Sequence, residues 1–501
     1  TTHIQIITVR DTTPPTFTVP AEITICRDVN GIYDRDVTNT GDVTDEADNC
    51  DTSLDAVYGD SDAAMGTITT VGYITRTWTL TDDCGNTTIQ YQTIWVQPVP
   101  RISVTVPDTL FCNGSTIDFA IDSLVISRGE VMYDLDVTYP AGVSGILSDG
   151  SRPILNIADL LTNSTNSHQT VTYTFRPYIQ GNPGDPTCHD GIEVTITVHV
   201  EPTARVALTL ADDELCNGES VNIQLSTVTI PYRGIEYNVD AINSYPEITG
   251  FTDRTGLITT DIIIEALSNS GDTARMVTYV VSPVTLDVSG NQKCYGINDT
   301  VEVWVNPTPR ATPANNTPQI CYGATTDVVL LSPTVMHSGF NEFNYTISAT
   351  ASTAVVDGNR TPLNSIAPGT HLQFPYTNES DTMQSVFFHI TPKVTGPGCP
   401  YGPVVISEVK VHAHPLQSLE IRDSITCDGG QDGSLEVIHA KGMDPMWVAW
   451  TGPDYWEDEG YNMYIVDERS QGYYTATVTD ELGCENDAWL NLVEPYTEVA
   501  F

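Results

Sequence analysis

Lysine is scarce in this chain. It occurs only at Lys293, Lys393, Lys410 and Lys441, and 20 Lys and Arg face 65 Asp and Glu, a formal charge of −45. Nucleic-acid affinity rests on basic side chains neutralising phosphates, so that class of partner is excluded. Electrostatic attachment to an anionic membrane is disfavoured for the same reason. No apolar run approaches the roughly 20 residues of a spanning helix, so direct membrane insertion is not expected. No G-x-S-x-G or H-E-x-x-H motif occurs, and with them go the common hydrolase chemistries. The closest histidines, His412 and His414, supply two ligands where zinc takes at least three protein ligands. Among 65 acids, pairs of carboxylates arise by chance, so a two-carboxylate glycosidase has no specific support. Long helices are missing too. The best candidate, Ile154–Leu161, is short and rich in β-branched residues and reads as a turn. No enzyme is expected.

Eleven cysteines are present without any C-x-x-C. That favours disulfides over metal, and disulfides persist in oxidising, extracellular compartments. Cys112 and Cys188 lie 76 residues apart, Cys216 and Cys294 78, Cys321 and Cys399 78, and Cys427 and Cys484 57. The first member of each pair opens a Cys-x-Gly frame, as in Cys112-Asn113-Gly114 and Cys427-Asp428-Gly429. These spans predict four disulfides, each closed within one repeat. A loop of about 77 residues stabilises its unit by roughly 4 kcal/mol in the chain-entropy account. There is no initiator Met and no signal peptide. The expectation is an internal piece of a longer exported protein, opening at residues 1–10 on the closing strand of a preceding domain. Gln5-Ile6-Ile7-Thr8-Val9 matches Gln92-Thr93-Ile94-Trp95-Val96 in support.

Junctions repeat as Val96-Gln97-Pro98, Val200-Glu201-Pro202 and Val305-Asn306-Pro307, with a looser version ending at His414-Pro415. Proline stops a sheet ladder, so these read as short, stiff hinges. Between them, apolar residues alternate: Ile117, Phe119, Ile121; Tyr133, Leu135, Val137; Val171, Tyr173; Val194, Ile196, Val198. The same series recurs in the next two repeats. Period two bounded by Gly, Pro, Asn and Asp marks half-buried antiparallel strands. Seven or so strands per repeat give an all-β, elongated tandem array of about five immunoglobulin-like β-sandwich domains. The expected boundaries are 11–98, 99–202, 203–307, 308–415 and 416–501. Five sandwiches in file should reach on the order of 150–200 Å.

Residues 11–98 resemble a hyalin-repeat (HYR-like) domain in Asp11-Thr12-Thr13-Pro14-Pro15, Asp48-Asn49-Cys50 and Trp78-Thr79-Leu80-Thr81-Asp82-Asp83-Cys84-Gly85-Asn86. Departing from the animal form, this segment has no cysteine after Asn86. The resemblance so adjusted implies a Cys50–Cys84 bridge and leaves Cys26 free. Residues 421–495 resemble the SprB repeat of gliding Bacteroidetes in Cys427-Asp428-Gly429-Gly430-Gln431-Asp432-Gly433 and Gly472-Tyr473-Tyr474-Thr475-Ala476-Thr477-Val478-Thr479-Asp480. The middle repeats are similar to PKD-like domains. Together these resemblances imply a segment of a giant SprB-like surface adhesin, exported by type IX secretion. It would act as a stalk or adhesive fibre in attachment, gliding motility or prey capture. A self-assembling homo-oligomeric filament is the alternative, and accessory modules of a secreted polysaccharide-degrading enzyme a third. The surface ligand, carbohydrate or protein, is left open. Asp42, Asp45, Glu46, Asp48 and Asp51 cluster, and a Cys50–Cys84 bridge would bring them to Asp82 and Asp83. Two readings stand: a calcium pole built on Asp45, Asp48, Asp82 and Asp83, or solvated acidic loops.

Overall fold

The computed structural model describes residues 3–337, 343–394, 399, 401–416, 418–438, 442 and 444–495. The ends of the first and last expected segments, residues 1–2 and 496–501, lie outside these. The alternating runs become strands whose apolar positions turn inward. Thr116–Ser123 buries Ile117, Phe119 and Ile121, and Ser220–Ser226 buries Val221, Ile223 and Leu225. In each central unit two sheets form the sandwich, with a separate two-stranded ladder beside them. In the second unit the larger sheet has the order Gly150–Pro153, Glu130–Thr138, Gln169–Gln180, Val194–Val200, Leu110–Phe111. The smaller sheet pairs Ile157–Leu160, Thr116–Ser123 and Ile102–Thr105. The third and fourth units repeat this arrangement. The chain is therefore all-β with immunoglobulin-like sandwiches in tandem.

Separate apolar cores fill the units. One spans Ile102 to Val200, the next Leu215 to Val305, then Ala311 to Val411, and Leu416 to Leu492. The first unit divides its core into a patch around Trp78 and another around Ile94. Ile154–Leu161, expected to turn, instead supplies the strand Ile157–Leu160, antiparallel to Thr116–Ser123. Its β-branched and apolar residues suit that pleated surface better than a turn. Helix is confined to short turns among the described residues, notably Val37–Thr40, capped by the Asp36 carboxylate accepting from Thr38 N. Residues 3–10 carry no strand, and Ile4, Ile6, Ile7 and Val9 are exposed.

One detail of topology positions everything that follows. In each of the first four units a two- or three-residue strand runs parallel to the end of the last long strand. It sets Ile25 opposite Val96, Phe111 opposite Val200, Leu215 opposite Val305 and Ile320 opposite Val411. The residue after each short strand is a cysteine: Cys26, Cys112, Cys216 or Cys321. The residue after each valine is polar: Gln97, Glu201, Asn306 or His412. At each place the polar residue's backbone N–H donates to the carbonyl of the residue before the cysteine at 2.8–2.9 Å, as from Glu201 N to Phe111 O. Cysteine and polar residue therefore stand side by side at the trailing pole of each of these four units.

Candidate functional site

Four disulfides cross the junctions. Cys26 bonds Cys188, Cys112 bonds Cys294, Cys216 bonds Cys399 and Cys321 bonds Cys484, with Cα–Cα distances of 5.5, 5.4, 5.2 and 5.4 Å. This overturns the within-repeat pairing, and Cys26 is bonded rather than free. The physical reason is distance. Cys112 sits beside Val200, whereas Cys188 precedes Val194 at the opposite end of the same seven-residue strand. At about 3.3 Å per residue that is roughly 20 Å, and a disulfide spans at most about 7 Å between Cα atoms. The second cysteine of each repeat lies instead in the connection between its two long central strands, which points at the preceding unit. Cys50, Cys84 and Cys427 are free and exposed, so the expected Cys50–Cys84 and Cys427–Cys484 bridges are absent.

Beside each of the first three disulfides the polar residue before proline is buried and grips the next unit. Gln97 is fully buried; its Oε1 accepts from Arg128 N at 3.0 Å and its Nε2 donates to the Arg128 carbonyl. Glu201, fully buried, accepts from Tyr232 N with both oxygens at 3.0 and 3.1 Å. Asn306 Oδ1 accepts from His337 N at 2.8 Å. In every case the partner lies 31 residues along the chain. A buried carboxylate costs more than a buried amide, and burial pushes the Glu201 carboxyl up to about 7. His412 takes the same place in the fourth unit, 2% exposed, and burial pushes its pKa down. His414 bonds Asn486 of the fifth unit, so these histidines are junction residues and do not converge on a metal.

Rings and backbone complete the joints. At two junctions the residue before the valine stacks on the following unit: His199 on Tyr232 at 4.0 Å and Trp304 on His337 at 4.0 Å. Trp95 lies under the Arg128 guanidinium at 4.9 Å. Two backbone bonds bridge each of the first three junctions, for example Val71 N to Ile126 O at 2.8 Å and Ile126 N to Thr69 O at 3.0 Å. Arg128 also pairs with Glu22 of the first unit, at 2.7 Å. Junctions read as hinges are thus stapled, hydrogen-bonded and stacked.

The acidic pole of the first unit is real but differs from its expected form. A concavity of about 140 Å³ is lined by Asp11, Asp48, Cys50, Asp51, Asp82, Asp83 and Cys84. Asp45 is not among them; it accepts from Thr18 N at 2.9 Å instead. Oxygens of Asp11 and Asp48 and the Cys50 sulfur lie within 4.8 Å of one another. Most carboxylate oxygens there are already spent on loop structure. Asp82 accepts from Asn86 N and Nδ2 at 2.8 and 2.7 Å, and Asp48 Oδ2 accepts from Cys50 N. Two buried oxygens, Asp11 Oδ2 and Asp48 Oδ1, have no partner. Those two oxygens and the exposed Asp83 carboxylate, beside a soft thiol, still fall short of the six to eight hard ligands calcium takes. The residues fit a rigid acidic loop better than a calcium cage.

The sequence comparison bears on the third unit. Residues 213–309 match the family model of the PKD-like domain. No curated protein matches the chain. Among solved structures, the protocadherin GammaB4 extracellular domain is similar at a TM-score of 0.28 and 9% identity, over 96% of this chain and 84% of that one. Mouse cadherin-23 EC22-24 is similar at 0.27 and 13%, over 63% and 98%. The Escherichia coli adhesin FdeC is similar at 0.24 and 11%, over 63% and 99%. These overall likenesses are too slight to bear on what the chain does. The PKD-like unit carries Cys216, Cys294 and Asn306, so it contributes to two stapled junctions.

Sequence reasoning missed Cys26 and the clamps Gln97, Glu201 and Asn306. Their signal was present: one polar residue held between a buried valine and a proline at each of the first three junctions. A second recurring feature was also missed. Asn163, Asn269 and Asn378 are buried, and each donates to the carbonyl of the valine ending the last strand, at 3.0, 2.8 and 2.9 Å.

Proposed function

We propose that the chain is a covalently stapled stalk of a cell-surface adhesin, whose task is reach and the transmission of load in attachment. The observation that carries this reading is the set of four disulfides, each joining one sandwich to the next. Disulfides imply an oxidising compartment outside the cytosol. No helix among the described residues is long and apolar enough to cross a membrane. The earlier resemblance to gliding adhesins supports a surface that is dragged or pulled, where stapled joints are of use, with type IX secretion as the proposed export route. The ligand is a surface carbohydrate or protein, and no catalytic turnover is expected of these units.

Small-angle scattering tests the stalk. The oxidised chain should give a rod with a largest dimension on the order of 150–200 Å, from the strand rise of about 3.3 Å per residue. Single-molecule pulling should release far less contour length from the oxidised chain than from the reduced one. The dimensions of one compact sphere, or equal extension in both redox states, would overturn the reading.

A further inference from the structure

The third and fourth units meet over a cleft of about 530 Å³. Ile242, Met276 and Trp304 line it from the third unit, and Val335, Met336 and His337 from the fourth. Its size lies within the roughly 300–1,000 Å³ of small-ligand sites, which favour domain interfaces. The Cys216–Cys399 bond and the Asn306 clamp on His337 N fix the two walls against each other. The shape is therefore set before a ligand arrives, which lowers the cost of binding.

The cleft arises from one difference between junctions. Where the second unit meets the third, Ser167 and Ile230 form a parallel bridge, and His168 N donates to Ile230 O at 2.9 Å. Where the third meets the fourth, Thr273 and Val335 form the same bridge, and Ala274 N donates to Val335 O at 2.8 Å. His168 and Ala274 thus hold one position. The stacked pair beside them is also alike: His199 on Tyr232 and Trp304 on His337 lie at interplanar angles of 19° and 15°. The His168 ring packs against its pair, 5.3 Å from Tyr232 and 6.3 Å from His199. Ala274 offers only a methyl there, and it lines the cleft.

The lining is mixed in character. Beside the apolar wall stand Asn243, Ser244, Thr273 and Thr278, whose amide and hydroxyl groups both donate and accept. Arg275 is the only Lys, Arg, Asp or Glu among the described lining residues. Its charge is already met: Nε lies 2.9 Å from Glu247, and the guanidinium sits 4.1 Å over the Tyr245 ring. An anionic ligand gains little from so neutralised a cation and is repelled by a chain of formal charge −45. A cationic ligand finds no carboxylate in the described lining. The complementary ligand is uncharged, apolar on one side and hydroxylated on the other, as a pyranose ring is. Its C–H groups meet the negative faces of Tyr245 and Trp304, both partly exposed, and its hydroxyls meet the polar side chains.

We propose that this junction cleft is a binding site for neutral carbohydrate, taking hexose units of a surface polysaccharide. The inference narrows the ligand of the stalk reading to a sugar and leaves the proposed shape untouched.

The experiment titrates the full oxidised chain calorimetrically with cellohexaose, laminarihexaose and mannohexaose, neutral hexose oligomers that differ in linkage and stereochemistry. At least one should bind. Ala274→His places in this junction the ring that the preceding one already accommodates, and should weaken that binding by about tenfold or more. Tyr245→Ala, at the exposed rim and outside the stacked pair, should weaken it several-fold with the melting temperature kept. Failure of all three sugars to bind would overturn the proposal, whether or not an apolar peptide rich in Leu and Phe binds instead. Sugar binding that neither variant weakens, or tighter binding of an anionic oligogalacturonate, would overturn it too. Failure of the sugars with a rod retained in scattering would sink the cleft alone, whereas compact dimensions would sink the stalk.

Discussion

Single side chains set the conditions under which the junctions hold. Glu201 is the sharpest case, because Gln97 and Asn306 fill its place elsewhere as neutral amides. Burial raises its carboxyl to about 7, while Tyr232 N and Lys293 pull the other way. His168, His199 and Arg233 surround the same tyrosine. A carboxyl raised in the folded state stabilises below its unfolded pKa, and that stability is lost as pH rises through the folded value. The second and third units should therefore melt higher at pH 5 than at pH 8. Glu201→Gln should flatten that slope, as scanning calorimetry at both pH values would read. Inside the second unit, fully buried Asp159 accepts from the hydroxyls of Tyr139 and Tyr173 at 2.6 and 2.5 Å. In the third unit Glu265 and Tyr279 make the equivalent pair at 3.0 Å, and in the fourth Phe374 and Phe388 stack there. Removing one partner of a buried polar network costs about 3–5 kcal/mol, whereas an apolar replacement of the whole is often near neutral. Asp159→Ala should accordingly destabilise the second unit by that order in urea titration. The double change Asp159→Phe with Tyr173→Phe should cost clearly less.

At the level of strands, much was legible and one thing was not. Ile117, Phe119 and Ile121, or Tyr237 and Val239, declared their strands because period two is a local property of sequence. The pairing of cysteines is not local. In a tandem array, bonds within repeats and bonds between adjacent repeats are equally periodic, so even spans for Cys112–Cys188 and Cys216–Cys294 could not choose between them. What chooses is the short parallel strand Leu110–Phe111, two residues long, which carries Cys112 to the far pole. Its pairing depends on a strand some ninety positions away. The acidic pole was half legible for a related reason: Asp48, Asp82 and Asp83 meet, but Asp45 is taken by Thr18. Cys112→Ser separates the two pairings directly. It should free Cys294 to alkylation and leave Cys188 protected, whereas within-repeat pairing would free Cys188. The lost loop of 182 residues is worth about 5 kcal/mol in the chain-entropy account. The melting of the second and third units should fall by several degrees or more.

For the whole molecule, the consequence of crossing the junctions is overlap. The loops 26–188, 112–294, 216–399 and 321–484 interlace, so every peptide bond from Cys26 to Cys484 lies inside at least one of them. Within-repeat bonds would leave each junction held by a single strand of backbone. In the interlaced array tension passes from Cys26 to Cys188 and from Cys216 to Cys399 through sulfur, and the sandwiches between are shielded from unravelling. The same overlap protects against proteolysis, which concentrates at exposed loops. The exposed loop Ala211–Asp213 lies between Cys188 and Cys216, outside every within-repeat loop but inside 112–294. A specific protease site placed there should be cut without severing the chain. The nicked protein should run as one species on a non-reducing gel and as two fragments after reduction. Its rod dimensions in scattering should persist until reductant is added. Fragments that part without reduction would show that the junctions are not covalently bridged.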